Sequence, residues 1–182
     1  DSDNVLAVTE RIRAKGAAVA FHYGADTEFT PAEGLERVAT VFSDMMVIGV
    51  HMGGGGAGYV EAEELYQRSR ELGLHHNNIH FIFSAKRDPH IESDLIEYQV
   101  AGPEATRRLM CGSDAPYGLP TWNFGGFRAM FESLRNADNY PDARLQGNPT
   151  LFDDRSIAGF MGNNLASLLV SAGEKVITVD NR

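Results

Sequence analysis

The chain has 182 residues, of which 43% are hydrophobic and 23% charged, a composition typical of a globular domain large enough to bury one core. Its formal net charge of -9 argues against nonspecific binding to nucleic acid or to anionic membranes, because both require a basic surface. We therefore expect one domain over residues 1–182, with no nucleic-acid partner and no membrane association.

The cysteine content and the N-terminal sequence indicate a cellular compartment and whether the chain begins midway through its fold. The single cysteine, Cys111, lies in an apolar run, so no internal disulfide can form and a reducing, cytoplasmic location is expected. The sequence has no charged-then-apolar leader and no apolar run of about 18 residues. The chain begins at Asp1, and its first predicted helix leads directly into a strand, as if midway through an alternation. We therefore expect it to be incomplete at the N-terminus.

Helices and short apolar strands alternate along the predicted fold. The first helix covers residues 4–14, and the second opens at Pro31 with Thr30 as its cap. Further helices are predicted at 59–72, 91–100, 124–136 and 154–170. Apolar runs predict buried strands that start at residues 17, 46, 79 and 109, spaced by about 30 residues, the size of one βα unit. Four such units predict an α/β fold with a parallel sheet.

Residues able to carry chemistry follow the predicted strands. They are His22, His51, the pair Lys86 and Arg87, and Asp114. Because the carboxyl ends of parallel strands meet at one edge of a sheet, these side chains should gather there. The glycines after His51 form an uninterrupted run, which indicates a loop rather than a dinucleotide-binding motif.

Substrate-binding residues are predicted from the same placement. Lys86 and Arg87 could bind a substrate carboxylate, although such a pair is more often a solvated surface feature. His90 follows in the same loop and has the same two interpretations. Trp122 comes after the Asp114 loop, where it could wall a pocket or anchor the next helix.

Four motifs resemble the second half of the amidohydrolase superfamily. They are Phe21-His22, Val-Ile-Gly-Val-His51-Met-Gly-Gly, Cys-Gly-Ser-Asp114-Ala-Pro and Phe160-Met-Gly-Asn-Asn164-Leu-Ala. The sequence is most similar to the amidohydrolase-related branch, which includes the aminocarboxymuconate semialdehyde decarboxylases and the pyrone-dicarboxylate lactonases. The similarity extends over about residues 15–170.

The resemblance implies a (β/α)8 barrel whose fifth to eighth strands are the four predicted here. It implies that His22 is a metal ligand and that His51 is a catalytic histidine or second ligand. Asp114 would be a metal ligand that also moves protons on the attacking water. The implied cofactor is a divalent metal, with zinc expected first and manganese second. The implied activity is metal-dependent hydrolysis or non-oxidative decarboxylation of a small carboxylated substrate.

One family element has no counterpart in this sequence, the His-x-His pair of the first strand. Two strand-end ligands are fewer than the three that catalytic zinc usually has, and a typical barrel needs about 250 residues. We therefore expect a homo-oligomer or a complementing N-terminal half-barrel. The alternatives are a noncatalytic barrel remnant that acts as an assembly subunit without metal, and an open flavodoxin-like sheet that binds a small ligand.

Overall fold

The computed structural model describes residues 3–24, 31–54, 63–84, 88–113, 124–135, 144 and 152–171. Helices and strands alternate through most of these ranges. In chain order the elements are α1 (Asp3–Arg13), β1 (Val19–Gly24), α2 (Ala32–Val41), β2 (Val47–Gly53), α3 (Glu63–His75), β3 (Ile79–Phe83), α4 (Asp88–Ala101), α5 (Pro103–Thr106), β4 (Leu109–Cys111), α6 (Phe124–Ser133), α7 (Asp154–Ala158), a π-helical turn (Gly159–Asn163) and α8 (Asn164–Ser171).

The four strands form one parallel sheet in the order β1-β2-β3-β4. Val19 pairs with Val47 and Val47 with Ile79, so the first three strands begin in register. The predicted α/β fold with a parallel sheet is therefore confirmed. A doubly wound sheet such as that of flavodoxin reverses its strand order at a switch point, and these four strands contain no reversal.

The main core lies on the sheet face that carries the odd-numbered residues of β3. Ile79, Phe81 and Phe83 are at most 1% exposed, whereas the alternating His80 and Ile82 are only partly buried. Side chains of α2, α3, α4 and α6 pack against this face. Burying each large apolar side chain contributes about 1.5–3 kcal/mol, so this layer supplies most of the hydrophobic stabilisation.

The opposite face of the sheet is covered less completely. Ile48 and Met110 pack there against Leu168 of α8 in a small separate cluster. On the same face, Ala20 and His22 of β1 are exposed. The sheet is therefore packed between helices from β2 to β4, while Ala20 and His22 of β1 are exposed on this side.

Close contacts fix how the helices lie on the sheet. A Cβ atom added to Gly73 of α3 would collide with the hydroxyl of Tyr98 and with the ring of Phe81. The Asn78 side-chain amide donates hydrogen bonds of 3.0, 3.1 and 3.1 Å to the carbonyls of Ala39, Phe42 and Met45. The end of α2 is thereby tied to the start of β3, which aligns β2 with its neighbour.

Several predicted bounds need correction. The helix predicted at 59–72 is observed at Glu63–His75, and the one predicted at 154–170 is interrupted by the π-helical turn, where Gly162 has φ 152°. Asp153 caps this last segment by accepting a 2.8 Å bond from the Ser156 amide. Residue 31 is the N-cap of α2 and makes no side-chain capping bond, and the predicted cap at Thr30 lies outside the described residues.

Among the helices that the structure describes, none combines the length and apolar character needed to cross a membrane.

Candidate functional site

Two histidines lie side by side at the carboxyl ends of neighbouring strands. The ring centroids of His22 in β1 and His51 in β2 are 4.6 Å apart, with the rings edge to face at 82°. Both strands extend further than the sequence predicts, to Gly24 and Gly53, so the histidines lie inside the strands rather than after them. The two side chains are nevertheless brought together at the expected edge, and their roles remain predictions.

The backbone at His51 has an unusual conformation. His51 and Met52 have φ angles of 73° and 49°, in the left-handed region that residues with a side chain seldom adopt. Strain of this kind costs on the order of 1 kcal/mol or more per residue and persists only where the surroundings impose it. Complete burial of the Met52 side chain holds this turn in place. Backbone strain of this kind is concentrated at functional sites, and here it coincides with a predicted site residue.

Ser84 orients the His51 ring from the next strand. Its Oγ lies 2.8 Å from His51 Nδ1, and the two residues are 1% and 4% exposed. When Nδ1–H donates to the serine oxygen, the lone pair of the imidazole lies on Nε2, which can then bind a metal or accept a proton. Both side chains are buried, and the contact with Ser84 restrains the orientation of the His51 ring.

Ser84 has no role in the sequence-based prediction. Its position in the sequence could have marked it as a candidate site residue, because Ser84 follows β3 and the two histidines lie near the ends of β1 and β2. A serine in such a place is usually a simple loop residue. Only the contact with His51 distinguishes it.

The accessibility of the two histidines differs. His22 is exposed, whereas His51 is buried behind it. His22 is therefore the more accessible of the two rings to solvent. This arrangement suits one exposed binding group and one oriented, largely dehydrated group.

Four other predicted site residues lie outside the described residues, namely Lys86, Arg87, Asp114 and Trp122. The chain immediately before Asp114 is described. The Gly112 amide donates a 3.0 Å hydrogen bond to the Phe83 carbonyl, so the end of β4 lies beside the end of β3. Ser113, the residue before Asp114, thus follows β4 at the same edge of the sheet as Ser84.

His90 and Cys111 both take part in packing. The His90 ring is 7% exposed and packs on Tyr66 with centroids 4.5 Å apart, in a contact between α4 and α3. Its predicted role in substrate binding stays a prediction. Burial raises the pKa of the Cys111 thiol to about 11, and its sulfur lies 3.9 Å from that of Met161. Cys111 is therefore a protonated packing residue at neutral pH, as its position in an apolar run indicates.

The metal-binding capacity of this edge can be judged from its donor atoms. His22 and His51 supply two imidazoles, a ligand type that suits zinc. Within the described ranges, no group of three or more His, Cys, Asp or Glu side chains is close enough to hold a metal ion. A catalytic zinc site usually has three protein ligands, and the described residues at this edge offer two imidazoles.

Comparisons of the chain with protein-family models, with curated proteins and with solved structures find no match. The resemblance to the amidohydrolase superfamily therefore depends on the four motifs alone. Functional inference for this chain starts from the geometry of His22, His51 and Ser84.

Proposed function

We propose that this protein is a metal-dependent hydrolase or non-oxidative decarboxylase that acts on a small carboxylated substrate. One observation carries the proposal. The His22 and His51 rings meet with centroids 4.6 Å apart at the carboxyl ends of adjacent parallel strands, and Ser84 orients His51. In α/β proteins this edge of the sheet is where ligands bind and catalysis occurs.

We further propose that the sheet is half of a (β/α)8 barrel, corresponding to its fifth to eighth strands. The consecutive order of four parallel strands supports this proposal, because barrel strands follow one another without a reversal. The exposed Ala20 and His22 of β1 leave room for further strands, but closure into a barrel would require α8 to leave Ile48 and Met110 on the same face. The remaining strands would come from a second copy of the chain or from a complementing N-terminal half-barrel.

Three residues of this chain would hold the metal. His22 and His51 would contribute imidazole nitrogens, and Asp114, which follows β4 in the sequence, would contribute a carboxylate. A bound zinc ion, or manganese as the second choice, would polarise a carbonyl group and lower the pKa of a bound water. The described histidines fit this role because their rings are adjacent and one of them is already oriented.

The protein side chains have separate tasks in this proposal. Ser84 fixes the Nδ1 side of His51, so that Nε2 faces the reacting group either as a ligand or as the atom that accepts and returns a proton. Asp114 moves a proton when His51 serves as ligand. Lys86 and Arg87 would bind the substrate carboxylate, and Trp122 would limit the pocket.

Metal content of the purified chain tests the proposal. Elemental analysis should find zinc or manganese near one equivalent in the wild type and a loss of metal in His22→Ala and Asp114→Asn. His75→Ala is the matched control, because His75 is an exposed histidine at the end of α3 and its removal should leave the metal content unchanged. Circular dichroism and thermal unfolding would show whether each variant is folded. The molar mass in solution would show whether a second half-barrel is bound to the chain.

Two results would contradict the proposal. A folded wild type that contains no metal and takes up none from added zinc would instead support a noncatalytic assembly subunit. Equal metal content in the wild type, His22→Ala and Asp114→Asn would show that metal binds elsewhere on the chain.

A further inference from the structure

Gly112, directly after β4, lies beside the serine that orients His51. Its amide donates a 3.0 Å hydrogen bond to the Phe83 carbonyl. A Cβ atom added at Gly112 would lie 3.6 Å from Ser84 Oγ and 3.8 Å from Ser84 Cβ. The same Oγ lies 2.8 Å from His51 Nδ1. Ser84 therefore links the end of β4 to the His51 ring in β2.

The space at Gly112 admits no side chain. An added Cβ atom would lie 2.6 Å from Cγ2 of Ile82 in β3, closer than carbon atoms approach in folded proteins. This methyl group is bonded directly to the Ile82 Cβ, and a β-branched side chain turns little about its first bond. Ile82 also packs against the cluster of Ile48, Met110 and Leu168. A substitution at Gly112 should therefore move the backbone where β3 and β4 end.

Close approach, and not an unusual backbone angle, accounts for the glycine. Gly112 is not among the described glycines that have a positive φ angle. Another residue could adopt its backbone conformation, so the constraint is the contact with Ile82. Ser84 directly follows Phe83, and Asp114 comes two residues after Gly112. A displacement at this point moves Ser84 relative to His51 and moves the start of the segment that leads to Asp114.

We propose that Gly112 is a positioning residue of the candidate site. Its bare backbone lets the end of β4 close against Ile82 and Ser84, and this closure holds the Ser84 hydroxyl on His51. Gly112 acts through Ser84 and has no role at the reacting atoms. The inference rests on the proposed function for the metal that the site would hold, whereas the effect on the His51 ring can be measured without metal.

Nitrogen-15 NMR of the imidazole rings tests the proposal in metal-free Gly112→Ala at about pH 8. The His51 resonances are identified by their loss in His51→Gln. In the wild type the His51 proton should reside on one nitrogen, because the contact with Ser84 fixes the tautomer. In Gly112→Ala the two nitrogen resonances should move towards each other, since a ring without a fixed partner exchanges between its two neutral forms.

A competition titration with zinc measures the same change at the metal site. Gly112→Ala should bind zinc about 10–100-fold more weakly than the wild type, as when a ligand loses its orienting partner. Ile82→Leu removes the colliding Cγ2 atom and keeps the volume of the side chain. Gly112→Ala combined with Ile82→Leu should therefore recover most of the zinc affinity and the wild-type His51 resonances, and Ile82→Leu alone should resemble the wild type.

Gly49 supplies the matched control. A Cβ atom added there would lie 2.7 Å from Cε1 of Phe81 and 2.9 Å from Cε1 of Tyr23, on the sheet face that carries the main core. Gly49→Ala should lower the urea concentration at the midpoint of unfolding, as Gly112→Ala does. In the folded protein it should leave the His51 resonances and the zinc affinity unchanged, which separates a loss of stability from a loss of positioning.

A second pair of variants replaces Gly112→Ala if that protein does not fold. Gly112→Ala combined with Ile82→Val keeps the Cγ2 atom but shortens the side chain, which gives the methyl group room to move. Its His51 resonances should lie between those of the wild type and those of Ser84→Ala. Agreement of these resonances with the wild type would overturn the proposal.

Three further results would also overturn it. Folded Gly112→Ala with wild-type His51 resonances would show that Ser84 holds His51 without help from Gly112. An equal change in Gly49→Ala would show that any loss of packing in the sheet disturbs the site. Failure of Ile82→Leu to reverse the change would show that the collision is not its cause. A wild type that binds no zinc, but whose His51 resonances respond to Gly112→Ala as expected, would contradict the proposed function and support the positioning role.

Discussion

Acidification should destabilise this protein through His80. The imidazole lies in β3 and lines a cleft at the amino ends of β3 and β4, where its Nδ1 is buried without a hydrogen-bond partner in the described part of the chain. Burial, and to a smaller extent the positive charge of Arg108, lower the pKa of His80 from 6.5 to about 4. The folded protein therefore keeps this side chain neutral well below the pH at which an unfolded chain would protonate it.

The sign and size of the effect follow from linkage. Between pH 6.5 and pH 4 the unfolded chain binds more protons at this position than the folded protein, so the free energy of unfolding decreases as the pH falls. A shift of this size corresponds to about 3 kcal/mol once both states are protonated, and about 2 kcal/mol is already lost at pH 5. Above about pH 8 the group is neutral in both states and contributes no pH dependence.

Urea unfolding at pH 7 and pH 5 measures this loss. His80→Gln keeps a polar side chain of similar size but does not titrate, so its stability should fall by about 2 kcal/mol less than that of the wild type over this interval. The exposed His75→Gln should follow the wild type. Charged groups that line the same cleft are unchanged in the variant: Arg107, Arg108, Arg155, Glu104 and Asp153. An identical pH dependence of the wild type and His80→Gln would refute the reasoning, because it would mean that His80 accepts its proton at no cost in the folded state.

Three further predictions concern packing, capping and the site. Gly73→Ala should lower the free energy of unfolding by about 1–2 kcal/mol, as measured by urea unfolding. The added methyl group collides with the buried Tyr98, and this cost outweighs a gain of about 1 kcal/mol in helix propensity. A variant more stable than the wild type would contradict this contact. Asn78→Ala removes the amide that three backbone carbonyls share, of which only that of Phe42 keeps another donor, the Met45 amide. It should cost about 2–3 kcal/mol by the same measurement, whereas a loss below about 0.5 kcal/mol would show that water replaces the amide. Ser84→Ala should weaken zinc binding about 10–100-fold in a competition titration, because His51 loses the partner that orients it, and unchanged affinity would remove Ser84 from the site.

Much of the fold can be predicted because each strand is a short apolar run with a clear end. The sequence predicts the third strand at residues 79–83, and the strand is observed at Ile79–Phe83. The ends of β1 and β2 are not predicted correctly, because His22 and His51 are polar residues that lie within strands extending to Gly24 and Gly53. The π-helical turn at Gly159–Asn163 is not predicted either, since its apolar spacing also fits a regular helix.

Part of the candidate site can be predicted in the same way. If the predicted strands are parallel neighbours, their spacing places His22 and His51 at one edge of the sheet, and the structure shows both the pairing of β1 with β2 and the contact of the two rings. The orientation of His51 does not follow from this spacing, because it depends on a hydroxyl contributed from the end of another strand and on a left-handed backbone at His51 and Met52. Neither feature has a local sequence signal.

The cleft at the amino ends of β3 and β4 is even less predictable from the sequence. Gln99, Arg108 and Arg155 come from separate segments of the chain, and each alone resembles an ordinary helix or loop residue. By itself the sequence determined the alternation of elements, the parallel sheet and the edge at which the histidines stand, because apolar periodicity and strand spacing are local properties of the chain. Only the tertiary structure decided which polar atoms are buried without partners in the described ranges and which serine orients His51, because these properties arise from packing between elements distant in sequence.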